Sequence, residues 1–316
     1  WVQILEGADY GWRNGYQYIE RDKLKSVWHA EKLWHLPHPG QPAYLLPPLG
    51  HVSAGPCGLA YYPGTGLPER FRNHFFLADF RAGVGGGVWA FTQKQKGSTY
   101  ELTESAPFLW EILATDVEFG VEGGLYVSDW VQGWGGSGKG RIYRVTDPAT
   151  QKLPILRETK RLLAEDFSQR PLEQLLPLLG HVDQRVRQEA QYALADAWAA
   201  QTLSLAALKQ GELLPRLHAI WGLGQISRLP AVVAQQARLS ALVTLRWLLT
   251  DADSEVRAQA VKVLGEAHDA DAFSTLLKLA ADPSPRVQTQ AAVALGKLGR
   301  REAVPALLTL LRSNNN

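Results

Sequence analysis

The 316-residue chain contains no methionine and one cysteine, Cys57. A single cysteine excludes an internal disulfide and any cluster of cysteine metal ligands. Cys57 itself reads as a small buried hydrophobe. The net charge is only +2, so there is no electrostatic case for nucleic acid or an anionic membrane as partner. No apolar run is long enough for a transmembrane helix. A chain without Met that begins at Trp1 is expected to be a piece of a longer protein.

What is present is unevenly distributed. Residues 1–148 hold 22 of the 29 glycines and 24 of the 30 Phe, Trp and Tyr. Residues 167–316 are rich in Ala, Leu, Gln and Arg. Such a shift marks two domains, 1–148 and 167–316, with 149–166 as linker after the turn-prone Asp147-Pro148.

The first half reads as short strands between turns. Thr115 to Trp130 organises it: Val117 and Phe119 alternate with polar neighbours, Gly123-Gly124 turns the chain, and Leu125 to Val127 returns. Further strands are expected at 59–62, 74–80, 88–91, 108–119 and 141–145, with an edge at 101–103. Trp1 to Leu5 reads as the end of another. This series means a sandwich or a propeller. Asn14 to Gly50 shows no period, and Pro37, Pro39, Pro42, Pro47 and Pro48 argue for a long loop. His29, His35 and His38 within it match no zinc spacing. Trp12, Trp89, Trp110, Trp130 and Trp134 read as packing residues. Asp116 and Asp129 read as strand-end turn caps. The glycine-rich run 133–140 lacks P-loop spacing and reads as a hairpin loop.

From Ser168 the period becomes helical, and a repeat is visible. Asp183-Gln-Arg-Val186, Asp253-Ser-Glu-Val256 and Ser284-Pro-Arg-Val287 align, with a weaker copy at Leu214-Pro-Arg-Leu217. Val256, Ala260, Val263 and Leu264 share one helix face, as do Val287, Ala291, Ala294 and Leu295. Asp183, Asp253 and Ser284 take the N-cap position, and Pro215 and Pro285 the first helical position. Gly265 and Gly296 are expected where helices approach closely. Leu-rich helices at 172–179, 239–249 and 273–279 precede the strong copies. A last one, 304–311, has no successor, so the array is expected to continue or to be capped beyond Asn316. His181, His218 and His268 are dispersed and form no catalytic constellation. This half resembles HEAT repeats, an α-solenoid in which stacking makes the core. In such arrays the arginines at 185, 187, 257 and 286 would bond neighbouring repeats.

The first half also resembles a family. GADYGW, GPCGLAYYPGTGLPERFRNHFFLADF, DVEFGVEGGLYVSDW and GKGRIYRV are similar to glucose/sorbosone dehydrogenase motifs, in the same order. The nearest group is the membrane-bound dehydrogenases of planctomycete-type bacteria, which join a propeller to HEAT repeats and often to a c-type cytochrome domain. The resemblance implies part of a six-bladed β-propeller that binds pyrroloquinoline quinone and calcium. It implies a sugar or alcohol dehydrogenase in the periplasm or secreted, with c-type haem outside this chain. Arg81 stands where the family contacts the quinone. The family's two carboxylate-clamping arginines are replaced by Leu113 and Thr115, which cannot supply that charge. The catalytic histidine and most of the calcium site of the family lie upstream of these motifs. The catalytic residues are therefore unknown, no metal ligand is assigned, and the isolated chain is expected to be inactive. The competing expectation is a non-catalytic propeller–HEAT scaffold for carbohydrate or protein partners. The HEAT half would then hold a protein partner or a cytochrome-like domain.

Overall fold

A computed structural model describes residues 1–6, 48–81, 85–131, 133–135 and 138–313. His29, His35, His38 and Trp12 lie outside the described residues.

The β half forms two antiparallel meanders. β1 (Pro56–Tyr61), β2 (Phe75–Asp79), β3 (Gly87–Lys96) and β4 (Thr99–Trp110) pair in sequence order. β5 (Ala114–Phe119), β6 (Leu125–Asp129) and β7 (Arg141–Val145) make the second sheet. Among the described residues the two sheets do not close into a propeller ring. The expected strand 108–119 is two strands in different sheets. Glu111 adopts φ 62°, a left-handed conformation that ends β4 and lets the chain change sheets. The expected edge at 101–103 is there, as part of β4, the 12-residue edge strand of the first sheet. The hairpin of β5 and β6 matches the alternation, with Val117 opposite Val127 and Phe119 opposite Leu125. Gly123 has φ 77° in its turn, and an added Cβ would strike Gly66 and Leu156.

The two sheets share one core. Phe76, Val88, Leu125 and Val127 have no exposed surface, and Phe76 meets Phe119 edge-on at 5.4 Å. Cys57 is not in it: the residue is exposed on β1, its Sγ 3.3 Å from the Ala114 carbonyl oxygen. It sits where β1 passes β5, at the register shift between Pro56 and Gly58. Trp1 to Leu5 lies outside any strand. The carbonyl of Trp1 accepts from Leu49 N at 2.8 Å, and the Trp1 ring packs on Phe75 and Phe91 at 4.9 and 5.1 Å.

The expected linker is largely helical. α1 (Pro154–Leu163) begins with Pro at its first position and buries Leu156 and Leu162. Beyond it, helices stack in pairs: α2 (Leu172–Leu178) with α3 (Gln184–Asp196), and α4 (Ala200–Leu208) with α5 (Leu213–Ser227). Next come α6 (Ala231–Trp247) with α7 (Ser254–Glu266), and α8 (Phe273–Leu279) with α9 (Pro285–Leu298). α10 (Val304–Ser313) follows. The aligned positions Val186, Leu217, Val256 and Val287 are all buried, so the repeat read from the sequence is the repeat of the core. α4 completes the weak second copy; its Ala-rich run carries little periodic contrast, which hides it in the sequence.

The residue after the repeated valine, Arg187, Arg257 or Gln288, serves each strong copy in a uniform way. Arg187 Nη1 donates to the carbonyls of His181 and Val182 at 2.6 and 2.9 Å. Arg257 Nη1 does the same to Asp251 and Ala252 at 2.8 and 3.1 Å. Gln288 reaches the Asp282 carbonyl at 2.7 Å. Each side chain thus ties the turn that enters its own helix. Arg257 then pairs with Asp282 of the next repeat at 2.9 Å, and Arg286 reaches back to Glu255. Arg216 and Asp251 form a buried pair at 2.5 Å. Burial pushes the Asp251 carboxyl up, but the Arg216 hydrogen bond and the Asp253 amide outweigh it and hold it below its ordinary value.

Three local expectations need correction. Asp183 and Asp253 do cap α3 and α7, whereas the Ser284 side chain caps nothing. Asp282 accepts from Ser284 N, as Asp251 does from Asp253 N in the preceding repeat. Pro215 is the third residue of α5, still in the first turn where no N–H partner is required. Gly265 is a close-approach site, but Gly296 faces open space: an added Cβ would lie 2.6 Å from Ala294 Cβ at the former and within 4 Å of nothing at the latter. Gly265→Val should therefore cost about 1–3 kcal/mol by forcing α7 and α9 apart. Gly296→Ala should gain up to about 1 kcal/mol of helix propensity. Denaturant melts of the two variants check this, and equal effects would contradict the packing.

Candidate functional site

Two places gather polar side chains: the end of the sheets around Arg81, and the inner face of the solenoid.

Arg81 follows β2. Its Nε donates to Asp79 Oδ2 at 3.0 Å, and its guanidinium lies 5.7 Å over the Trp110 ring. Asp79 is fully buried and also accepts from Trp89 Nε1 and Gly55 N. Burial pushes its carboxyl up, but the bonds from Trp89, Arg81 and Gly55 outweigh this and hold it below its ordinary value. Arg81 is thus the counter-ion of a buried structural carboxylate. Leu113 is buried in the sheet packing, and Thr115 Oγ1 bonds Ser128 Oγ at 2.8 Å. No cationic fork for the quinone's carboxylates exists among these three residues, so they do not fit the cofactor that the resemblance implies. Among the described residues no cluster of three or more His, Cys, Asp or Glu could hold a metal ion. Trp89 meets Trp110 edge-on at 4.9 Å, and Trp130 stacks on Phe80 at 5.9 Å. Asp129 accepts from Leu113 N and Val131 N, which makes it a turn cap.

The β half is bolted to the solenoid at α3. Gln184 N donates to the Pro63 carbonyl at 2.7 Å, and Thr65 Oγ1 to Asp183 Oδ2 at 2.5 Å. Arg185, expected to bond a neighbouring repeat, instead reaches the carbonyls of Phe119 and Gly120 at 3.1 and 3.0 Å. Its other nitrogens hold the fully buried Asp183. The Gly64 backbone lies so close to Val182 that an added Cβ would stand 2.3 Å from its carbonyl oxygen.

Docked this way, the β half overhangs the inner helices. A groove of ≈ 510 Å³ opens between residues Gln3 to Glu6, Tyr100 on β4, and the faces of α7 and α9. Its helical wall includes Lys262, Arg286, Gln290, Val293 and Lys297. The Arg286 guanidinium lies 5.7 Å over the Tyr100 ring, and Lys297 Nζ pairs with Glu6 Oε2 at 2.6 Å. Residues 286, 290, 293 and 297 follow helical spacing one step away from the buried stripe. That spacing was in the sequence, but nothing local says that the β half covers it.

The HEAT-repeat family model matches residues 242–316, and the helical half is a repeat solenoid. Two solved structures are similar over part of the chain. One is an engineered protein, 26% identical over 44% of this chain and 67% of its own, with TM-score 0.30. The other is a computationally designed armadillo repeat protein for modular peptide recognition, 22% identical over 49% of this chain and 84% of its own, with TM-score 0.31. The search of curated proteins returns no match.

Proposed function

We propose that the chain is a non-catalytic binding scaffold whose inner solenoid face receives a protein segment. The observation that carries this reading is the groove itself: a concave, mixed-charge surface on two repeat helices, roofed by the β half. The ionisable groups buried in the solenoid support it too. Arg216 with Asp251 and Arg257 with Asp282 are spent in repeat-to-repeat pairs, which is the work of a frame. At the β end, the Asp79–Arg81 pair is likewise internal. Stacked repeats with exposed inner faces provide an extended concave binding surface by construction.

The test is to pan a random peptide library against the intact chain and titrate the selected peptides calorimetrically. Peptides binding in the micromolar range, about −8 kcal/mol, with amide-exchange protection on the solenoid, are the expected result. Failure to select any such binder would overturn the scaffold reading. So would oxidation of a sugar or alcohol by the chain supplied with quinone and calcium.

A further inference from the structure

The first helices of the four pairs hold equivalent places, yet their exposed faces differ. α2 shows Glu173, Gln174 and Pro177, and α8 shows Ser274 and Lys278. α4 and α6 instead show Leu205, Leu208, Leu239, Val243 and Trp247, with Leu205 70% and Trp247 71% exposed. On each helix these residues stand three or four apart, so each set forms one stripe. Ser204 Oγ lies 2.7 Å from Thr244 Oγ1, which sets the two helices side by side and the stripes next to each other. A single exposed leucine is ordinary, but a contiguous apolar patch marks an interaction surface.

Charge, relief and area narrow the occupant. α4 contains no charged residue. The two on α6 are committed within the solenoid: Arg238 Nε donates to the Ser227 carbonyl at 2.9 Å, and Arg246 Nε to Asp269 Oδ2 at 2.7 Å. The face therefore offers no cation to an anionic membrane, and it meets its own copy without like-charge repulsion. Its relief is self-complementary. Trp247 stands at the C-terminal end of α6. Toward the other end, a hollow of ≈ 560 Å³ opens between Trp198, Ala200, Val233, Ala237 and Ser240. Trp247 and Val233 are about 21 Å apart along the helix at its usual rise. A two-fold axis near Ser240, midway between them, reverses α6 and lays each Trp247 over the hollow of the other copy. With α6 about 25 Å long, α4 about 14 Å and each about 10 Å wide, the joint face projects about 400 Å². Accessible area exceeds projected area, so two such faces approach the ~1,000 Å² at which specific interfaces begin. A single partner helix would cover one stripe and leave the other bare.

We propose that the α4–α6 face is a homodimer interface: two copies pair across a two-fold axis near Ser240, and each sets Trp247 into the hollow beside Val233 of the other. The groove lies on α7 and α9, the second helices of their pairs, and is not used in this contact. The dimer therefore carries two grooves, which makes it bivalent toward any partner that presents two copies of a bound segment.

Sedimentation velocity of the intact chain, from about 1 to about 100 µM, should show a monomer–dimer equilibrium, the range that suits an interface of this size. Trp247→Glu should weaken it at least about thirtyfold, the scale of a central interface tryptophan, and Leu205→Glu should act in the same direction. Leu308→Glu, on the exposed face of α10, should leave it unchanged. All three side chains face solvent, and circular dichroism melts check that the variants fold. The two-fold arrangement is read separately. In a Cys57→Ser background, Ser240→Cys should cross-link to its own counterpart with a short bis-maleimide, whereas Leu308→Cys should not. A chain that stays monomeric across the range would overturn the proposal. So would a dimer that ignores Trp247→Glu, one that is lost with Leu308→Glu, or one that gives no cross-link at position 240. A monomer that binds phosphatidylcholine vesicles through Trp247 would give the face to lipid and overturn it as well. None of these results depends on peptide binding, so the scaffold reading stands or falls separately.

Discussion

Asp183→Ala is expected to lower the stability of the chain by about 3–5 kcal/mol, the cost of leaving one member of a buried ion pair without its partner. One carboxylate does three things. It caps α3 by accepting from Arg185 N at 3.0 Å, it holds the Arg185 guanidinium, and it accepts the Thr65 hydroxyl. Without it, Arg185 loses the anchor that aims it at the Phe119 and Gly120 carbonyls. The Gln184 amide, which donates to Pro63, should then exchange faster with solvent. Asp183→Asn keeps a capping oxygen and loses the charge, so it should fall between wild type and Ala. Denaturant unfolding and amide exchange read both effects. A melt of Asp183→Ala indistinguishable from wild type would mean that the two halves are not joined through this residue.

Mild acid should weaken the solenoid through His218. This side chain is buried between α3 and α5. Arg187 Nε donates to its Nε2 at 3.1 Å, so that nitrogen carries a lone pair. Its Nδ1 then donates to Gln191 Oε1 at 2.8 Å, and Gln191 passes the chain on to Gln225. Only the neutral ring satisfies both bonds. Burial, then the neighbouring Arg187 charge, push its pKa down from 6.5 to about 4. The sign follows from linkage. In the unfolded chain His218 takes a proton below 6.5; in the folded chain it does not until about 4. Stability is therefore full above 6.5, falls as the pH drops through that window, and levels off below about 4. The loss approaches about 3 kcal/mol at ~1.4 kcal/mol per pKa unit. His181, lowered by burial, adds in the same direction. The lowered carboxyls of Asp79 and Asp251, ordinarily at 3.8, act below this window. Denaturant melts from neutral pH downward should show the decline, and His218→Gln should flatten it. A slope unchanged by that substitution would assign the acid sensitivity elsewhere.

The repeat is legible in the amino-acid sequence alone. Val186, Val256 and Val287 recur with an Arg or Gln after each, and all three valines are buried, because a helix face that packs on its neighbour must repeat its apolar spacing. The β5–β6 hairpin is legible there as well, since alternation and Gly123-Gly124 are local signals. The motifs that carry Arg81, Leu113 and Thr115 were equally legible, but their chemistry was not. Only the fold shows Asp79 buried beneath Arg81, with the guanidinium committed to it. Cys57 reads as apolar filling and sits instead on an exposed strand face, because burial depends on which sheet lies above. Arg185 and Arg286 occupy the same position of equivalent repeats, just before the repeated valine, yet one grips the β half and the other Glu255 of the preceding repeat. The groove on α9 exists for the same reason. Residues distant in the chain, Glu6, Tyr100 and Lys297, meet only after the β half docks on α3, and no local pattern encodes a contact between surfaces that separate segments bring together.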